Sequence, residues 1–194
     1  MTTAGERAAT VHALAEQQMR EIVRQAEAGY PEEICGIVIG KPGRPETYQV
    51  HQVKNVANQH LQKDTTGNDR DARTAYFMDG LEMLGIEKKA DEAGLEFVMF
   101  YHSHPDHDAY FSAMDRDRAL SPSGEPLWPG ANYLVVSVRG GRARDWLLRP
   151  LDLFRRLLFI SGPRARARDA RRYVWDDTRQ DFVEVAATLP GHGR

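Results

Sequence analysis

Residues 100–115, FYHSHPDHDAYFSAMD, hold a dense group of side chains that could bind a metal ion. The stretch contains His102, His104 and His107 together with three aspartates, in a chain that has only seven histidines. Imidazole nitrogens and carboxylate oxygens are common zinc ligands in proteins. A catalytic zinc takes three such ligands and leaves its fourth position to water. The question is which of these residues could supply the three.

Two of the histidines lie on one strand. Residues 95–105, LEFVMFYHSHP, are apolar and β-branched or aromatic enough to predict a buried strand that ends at Pro105. Side chains two positions apart on a strand point to the same side, so His102 and His104 can face one ion while Ser103 faces away. They supply two ligands, and the third must come from elsewhere.

The segment after the strand offers the third ligand. Asp106 and Asp108 lie too close to the bend at Pro105 to fold back easily. Asp115 lies one turn into a short predicted helix and shares a helix face with Ser112, three residues earlier. A loop that returns from the strand would bring Asp115 to the two imidazoles, giving a site of two histidines, one aspartate and a water.

Each part of this pattern also has a purely structural interpretation. Two histidines on a strand are often structural or surface residues. Ser112 and Asp115 have the spacing of a variant capping box. In that motif the serine side chain caps the helix, and the side chain of the acidic residue accepts from the backbone N–H of the serine. His107 is most simply an exposed loop histidine. From the residues alone, both interpretations stay open.

The elements around the stretch predict an α/β fold of the α+β sandwich type, with a mixed β-sheet flanked by helices. The segment 171–187 is expected to form a late hairpin or an extended segment, while 151–160 is ambiguous between helix and strand. With no internal repeat and no linker, we expect one domain over 1–150 and a C-terminal extension, 151–194, packed on it. The predicted helices are 6–28, 79–94 and 112–120, the strands 33–40, 47–57, 95–105, 132–140 and 142–150, and the loops 58–74 and 121–131.

Composition narrows the classes of partner and compartment. The formal charge of −2 and the pI near 6.4 give no general attraction to nucleic acid or to anionic membrane. The single cysteine, Cys35, excludes an intrachain disulfide and any zinc site that needs two thiolates. No run of 18 apolar residues occurs, and the first twenty residues carry charges where a signal peptide needs an apolar run. We therefore expect a cytoplasmic protein with no membrane contact.

A second element completes a recognisable pattern. The string His102, His104, Pro105, Ser112 and Asp115, together with PEEICGIVIG at 31–40, closely resembles the JAMM (MPN-plus, JAB domain) zinc metalloprotease family in its stand-alone bacterial type. In that family a glutamate stands three positions before the glycine of the earlier strand, which selects Glu33 here. The resemblance covers about 8–150 and implies the MPN/JAB fold, which is similar to the cytidine-deaminase-like layout.

The resemblance implies a mechanism and a substrate. One Zn²⁺ with a bound water would be held by His102, His104 and Asp115, with Glu33 as general base and Ser112 as oxyanion stabiliser. Cys35 is expected to be a small buried residue and not a nucleophile. The family further implies hydrolysis after the C-terminal glycine of a ubiquitin-like or β-grasp sulfur-carrier protein with a Gly-Gly terminus, whose extended tail could add to an edge strand.

Three other functions compete with this one. Metal-free MPN relatives serve as scaffolds, but they usually lack one or more motif residues, and this chain lacks none. A zinc deaminase needs thiolate ligands that one cysteine cannot supply. A nucleic-acid-associated relative is suggested by PRARARDARR at 163–172, whose five arginines could bind phosphate, although a charge run is usually a solvated face.

Overall fold

A mixed six-stranded β-sheet forms the centre of the computed structural model, which describes residues 11–61, 71–140 and 165–190. Helices pack on both faces of the sheet, as the predicted fold class requires. The strands are β1 (Cys35–Gly40), β2 (Gln49–Val53), β3 (Glu96–Pro105), β4 (Asn132–Arg139), β5 (Arg166–Asp176) and β6 (Asp181–Val185); the helices are α1 (Glu16–Gly29), α2 (Ala57–Leu61), α3 (Gly80–Ala93) and α4 (Ala113–Ala119), with a 3₁₀ turn at Pro45–Thr47.

The strands lie in the order β2-β1-β3-β4-β5-β6. Only the central pair, β3 and β4, is parallel, and each of the other neighbouring pairs is antiparallel. The parallel pair aligns His104 with Ser137 and Pro105 with Val138, so both strands end at the same edge of the sheet. Loops that leave this edge can therefore place side chains around one cleft.

The side chains of β3 divide between two hydrophobic clusters. Met99 and Tyr101 point to the face covered by α1, whose Met19 and Ile22 are buried against it. Phe100 points to the opposite face, where Ile86 and Ala90 of α3 pack. By the alternation of a strand, His102 and His104 lie on the α3 face.

Gly36 in β1 makes room for an aromatic ring of β3. A Cβ at this position would overlap the ring end of Tyr101 and the backbone carbonyl of His51. The Tyr101 hydroxyl crosses over the glycine and donates to Oε1 of Gln25 on α1 at 2.5 Å. The absent side chain thus allows β1, β3 and α1 to pack closely.

Helix α3 has the ends that its sequence predicts. The Asp79 side chain accepts from the backbone N–H groups of Leu81 and Glu82, which caps the first turn. Gly94 ends the helix in the left-handed conformation at φ 62°. The apolar spacing of 79–94 predicts an inner face of Met83, Ile86, Ala90 and Ala93, and this is only partly correct, because Ala93 is exposed whereas Ile86 and Ala90 are buried.

The first helix begins later than predicted. Periodicity favoured a helix from residue 6, but α1 starts at Glu16 and 11–15 are not helical. The Gln18 side chain accepts from the Ala15 N–H at 2.7 Å and donates to the carbonyls of Pro45 and Tyr48, which sets the first turn. Contacts with a distant turn, which periodicity does not report, fix this helix start.

The predicted loop 58–74 contains a short helix where it is described. Helix α2 follows Asn55, whose side-chain oxygen accepts from the N–H groups of Ala57 and Phe77. The Asn55 amide nitrogen donates to the carbonyls of Glu33 and Ala75. One half-buried amide thus joins the segment just before β1 to the segment before α3. Residues 62–70 lie outside the described part.

The C-terminal part extends the same sheet. β5 and β6 form the predicted late hairpin, with Trp175 opposite Phe182. Residues 142–150 were predicted as the partner of β4 and, with 151–160, lie outside the described residues. Within the described part, the edge of β4 away from β3 pairs with β5.

The described arginines of the arginine-rich stretch lie in β5, with Arg166 and Arg168 exposed. Arg166 pairs with Glu27 at 3.6 Å, and Arg171 pairs with Asp169 at 2.9 Å. Arg172 is buried and donates to the backbone carbonyls of His12 and Ala186. Three of the four arginines described there are thus paired or buried.

Over the described residues, no helix has the length and apolar character to cross a membrane.

Candidate metal centre

Three of the predicted site residues meet at one edge of the sheet. His102 and His104 come from the end of β3, and Asp115 comes from the first turn of α4. All three side chains are buried, and one potential ligand atom from each lies within 4.8 Å of the other two. The loop between Pro105 and Ser112 turns the chain back, as the spacing predicts.

The distances within this cluster suit a tetrahedral ion. The Nε2 atoms of His102 and His104 lie 3.1 Å apart, and Oδ2 of Asp115 lies 3.4 Å and 3.7 Å from them. Ligands at about 2.0–2.2 Å from a tetrahedral zinc are separated by about 3.3–3.6 Å. Two Nε2 lone pairs that face each other need a proton or a cation between them. Donor types and spacing therefore both fit a metal ion.

The second nitrogen of His104 is already committed. Nδ1 lies 2.9 Å from the backbone carbonyl of Asp108. A carbonyl oxygen only accepts, so Nδ1 carries the proton and donates it. In the neutral ring this leaves Nε2 with its lone pair toward the cluster, and metal-binding histidines commonly have such an orienting partner.

Ser112 and Asp115 also form the capping box that their spacing allows. The Ser112 hydroxyl oxygen accepts from the Asp115 N–H at 3.1 Å, and Oδ2 of Asp115 accepts from the Ser112 N–H at 2.8 Å. Oδ2 is the atom that also faces the two histidines. The structural and the metal-site interpretations are therefore compatible, because the same helix start serves both. Accepting from Asp115 leaves the Ser112 O–H as a donor.

The electrostatics of the cluster favour the metal-binding form of two of its three groups, His102 and Asp115. Burial lowers the pKa of His102, against the opposing effect of Asp115. Burial would also raise the pKa of Asp115, but the two imidazoles and Ser112 together hold it well below its usual range. For His104, burial is opposed by Asp115, Glu33 and the Asp108 carbonyl, and the pKa is raised. An ionised carboxylate and a buried neutral imidazole are forms that bind metals.

Glu33 lies at the mouth of β1, beside the cluster. Its side chain is 7% exposed and lines a cleft with His104, Ser112 and Asp115. Its negative charge is one of the causes that raise the pKa of His104. The backbone is held on both sides, because its N–H donates to Ala72 and its carbonyl accepts from Asn55. The backbone of Glu33 is therefore fixed in a position that places its carboxylate in the same cleft as the candidate ligands His104 and Asp115.

The walls of the cleft include aromatic residues that the sequence did not single out. The cleft has a volume of about 350 Å³. The Tyr76 ring stacks on His102 with centroids 4.4 Å apart, and Tyr110 meets His104 edge-on at 5.0 Å. Arg118 of α4 donates to the Tyr76 carbonyl and lies over the Phe77 ring. In the sequence, these cleft walls could have been suspected from Tyr76 and Phe77, two adjacent aromatic residues within a polar stretch.

Cys35 is packed as the sequence predicts. The thiol is fully buried beneath the sheet, and its Sγ lies 3.5 Å from the Val53 carbonyl. Burial, with a smaller contribution from the charge of Glu33, raises the pKa of Cys35 to about 12. A thiol of this kind is not a nucleophile near neutral pH.

The remaining residues of the stretch have other contacts. His107 is exposed at the rim of the cleft. The Asp106 carboxylate accepts from the hydroxyl of Tyr30, and the Asp108 carboxylate pairs with Arg139. These three side chains are not part of the buried cluster.

Comparison with known proteins agrees with the motif. The model of the family described as prokaryotic homologs of the JAB domain matches residues 15–149. A desampylase of Haloferax volcanii is 35% identical over 125 residues, which are 63% of this chain and 76% of that protein. A CysO-cysteine peptidase of Mycobacterium tuberculosis is 30% identical over 120 residues, 61% of this chain and 67% of that protein.

Two solved structures share the fold. A protein from Desulfitobacterium hafniense has a TM-score of 0.52 and 20% identity, over 93% of this chain and 96% of that one. A protein from Salinibacter ruber has a TM-score of 0.51 and 19% identity, over 93% of both chains. At these identities the likeness concerns the fold alone.

Proposed function

The chain belongs to the family of prokaryotic homologs of the JAB domain, and on that premise we propose that it is a zinc-dependent peptidase or isopeptidase. We further propose that it hydrolyses the bond after the C-terminal glycine of a ubiquitin-like or sulfur-carrier protein. The observation that carries the proposal is the buried triangle of His102, His104 and Asp115. Two imidazoles and one carboxylate suit zinc among the common metals.

Three side chains would hold the ion. His102 and His104 would bind through Nε2 and Asp115 through Oδ2, the atoms that already face one another. When bound, zinc lowers the pKa of a water to near neutrality and polarises the substrate carbonyl. Tyr76, stacked on His102, excludes water from one side of the cluster.

Glu33 is the proposed general base. Its carboxylate lines the cleft beside the cluster, but Glu33 is not one of the three candidate metal ligands. In this role it would take a proton from the attacking water and return it to the leaving nitrogen. Burial in a shared cleft with Asp115 keeps the proton transfer away from bulk solvent.

Ser112 is the proposed oxyanion stabiliser. Its oxygen accepts from Asp115 N–H, which fixes the side chain at the helix start. With the oxygen held by this hydrogen bond, the Ser112 O–H can donate a hydrogen bond to the substrate carbonyl oxygen as negative charge develops on it. The role needs a donor at the cleft, and Ser112 lines it.

The proposed substrate class comes from the relatives and the motif together. The relatives carry the names desampylase and CysO-cysteine peptidase, and we propose a similar partner with a Gly-Gly terminus for this chain. β2 is an edge strand of the described sheet and pairs with β1, which follows Glu33. An extended tail could add to such an edge and pass its small residues through the cleft.

Cleavage of defined fusions tests the proposal. The zinc-loaded protein is incubated with Gly-Gly-terminated carrier proteins extended by an amino acid, a peptide or a lysine-linked amine, and intact mass identifies the bond that is cut. We expect a cut after the terminal glycine that disappears with a chelator and falls about 10²–10⁴-fold in Glu33→Gln. Full activity in Glu33→Gln would contradict the mechanism. A wild-type protein that holds no zinc and cleaves none of these fusions would favour the metal-free scaffold instead.

Two further assignments belong with this proposal. We propose that the catalytic domain is 1–150 and that 151–194 is an extension packed on it, since β5 and β6 continue the sheet. We also propose a cytoplasmic location, which suits a chain whose only cysteine is a free thiol.

A further inference from the structure

The loop after β3 is fastened to the end of β4 by one side chain. Arg139, the last residue of β4, donates from Nη2 to Oδ1 of Asp108 at 2.7 Å. Its Nη1 donates to the backbone carbonyl of Asp106. A single planar guanidinium therefore holds two points of the loop, an arrangement that the fork geometry of arginine permits and that a lysine ammonium does not reproduce.

Other contacts hold the start of the same loop. The Asp106 N–H donates to the Val138 carbonyl at 2.7 Å, and the Ser137 hydroxyl donates to the His107 carbonyl at 2.6 Å. Asp106 has a left-handed backbone at φ 58°, and its carboxylate accepts from the Tyr30 hydroxyl at 2.8 Å. Position 108, further along, has its side-chain anchor in Arg139.

The carbonyl of Asp108 is the group to which His104 donates. The Nδ1 to carbonyl distance is 2.9 Å, and this bond sets the tautomer that leaves Nε2 with its lone pair toward the cluster. A shift of the Asp108 backbone would weaken the bond, and the ring could then rotate or exchange tautomers. The chain of contacts therefore runs from Arg139 through Asp108 to His104.

We propose that Arg139 is a positioning residue of the metal centre. By holding Asp108, it keeps the Asp108 carbonyl in place for His104 and so fixes the orientation and tautomer of that ring. The proposal rests on the proposed function in taking His104 as a metal ligand. Arg139 itself does not contact the cluster.

The energetics separate this role from a structural one. The Arg139 side chain is 39% exposed and that of Asp108 is 76% exposed. Exposed ion pairs contribute little to stability, so loss of the pair should hardly change the unfolding midpoint. Groups that orient a metal-binding histidine are typically worth 10–100-fold in metal affinity. The two effects therefore differ in size.

The test compares Arg139→Ala with a matched control. Arg44 also belongs to an exposed ion pair, with Glu46 at 2.8 Å, in the turn between β1 and β2 at the end of β1 opposite Glu33. Zinc affinity is measured by competition with a chromophoric chelator, and stability by denaturant unfolding. We expect about tenfold weaker zinc binding in Arg139→Ala and unchanged zinc binding in Arg44→Ala, with the unfolding midpoint of both variants close to that of the wild type. Arg139→Lys should lie between wild type and Arg139→Ala.

A second readout needs no metal. In the zinc-free protein at pH 8, ¹⁵N chemical shifts of the imidazole should report His104 protonated at Nδ1, and Arg139→Ala should shift the ring toward a mixture of tautomers. Asp108→Ala should act in the same way, and the double variant should add little, because both residues act through one carbonyl. An unchanged His104 tautomer in Arg139→Ala would overturn the proposal, whether or not the wild-type protein binds zinc.

Discussion

Buried histidines lie at both ends of the sheet, and they differ in what their ring nitrogens face. At one end, Nε2 of His12 lies 3.0 Å from the Gly130 carbonyl and Nδ1 lies 2.9 Å from the Tyr48 hydroxyl. Since a carbonyl only accepts, Nε2 donates and Nδ1 accepts from the tyrosine. At the other end, His102 and His104 turn Nε2 toward each other and toward Asp115. Burial alone does not distinguish a structural histidine from a candidate ligand, whereas the partners of both nitrogens do.

The largest contrast between the two ends should appear in metal affinity. Replacing a ligand removes one of three coordinating atoms, so His102→Ala or Asp115→Ala should weaken zinc binding by more than the roughly 100-fold upper range that an orienting group is worth. His12→Leu and His107→Ala should bind zinc as the wild type does. Competition titration of the four proteins measures this. Retained affinity in His102→Ala and Asp115→Ala would place the metal elsewhere.

A smaller contrast concerns the two roles of Ser112. Ser112→Ala should lower kcat by about 10²-fold through the lost oxyanion donor and destabilise the protein by about 1 kcal/mol through the lost cap. Ser112→Thr keeps a hydroxyl that can serve both roles and is the control. Steady-state kinetics on a cleaved fusion and denaturant unfolding separate the two effects. If Ser112→Ala loses stability with kcat unchanged, the serine only caps α4.

The smallest effect is on stability at the other end of the sheet. His12→Leu leaves the Tyr48 hydroxyl and the Gly130 carbonyl without their partner and should cost about 1–3 kcal/mol. Urea unfolding of the zinc-free protein measures the change. A variant as stable as the wild type would show that these hydrogen bonds contribute nothing net.

His12 should also shape the dependence of stability on pH. Burial lowers the pKa of His12 below its ordinary value of 6.5, so the unfolded chain binds the proton more tightly than the folded protein does. Its contribution is therefore complete above about pH 6.5 and is lost as the pH falls through the lower folded pKa. Between pH 7.5 and 5.5 the zinc-free wild type should lose more stability than zinc-free His12→Leu. Equal losses would contradict the assignment.

Much of the fold was predictable because its signals are local. Alternation and apolar runs located β1, β3 and β4, and periodicity over 79–94 with Gly94 as a stop located α3. The spacing of His102, His104 and Asp115 could be converted to geometry, because a strand fixes the first two and a helix start fixes the third. Glu33 needed the resemblance to a family, because nothing near it in sequence links it to the histidines.

The residues that escaped prediction depend on distant contacts. His12 lies within the segment 6–28 that periodicity assigned to a helix, yet its N–H donates to the Asn132 side chain, 120 positions away. Tyr76 follows a polar run and becomes part of the cleft only because Asn55 ties its neighbours to β1. Arg172 belongs to a charge run that predicts a solvated face, but two backbone carbonyls draw it into the interior. In each case a partner far along the chain decides the position.

Gly36 lies outside the cleft, in the strand that begins close to Glu33. Cys35, its neighbour, pairs with His102 across β1 and β3, and Glu33 lies two residues before that pair. A Cβ at 36 would overlap the end of the Tyr101 ring and the backbone carbonyl of His51, so β1 would have to shift against its two neighbouring strands. The distance from the proposed base to the histidines would then change although no group in the cleft had changed. A redesign that keeps Glu33 and the four other proposed site side chains could therefore still fail at a position that contributes only a hydrogen atom.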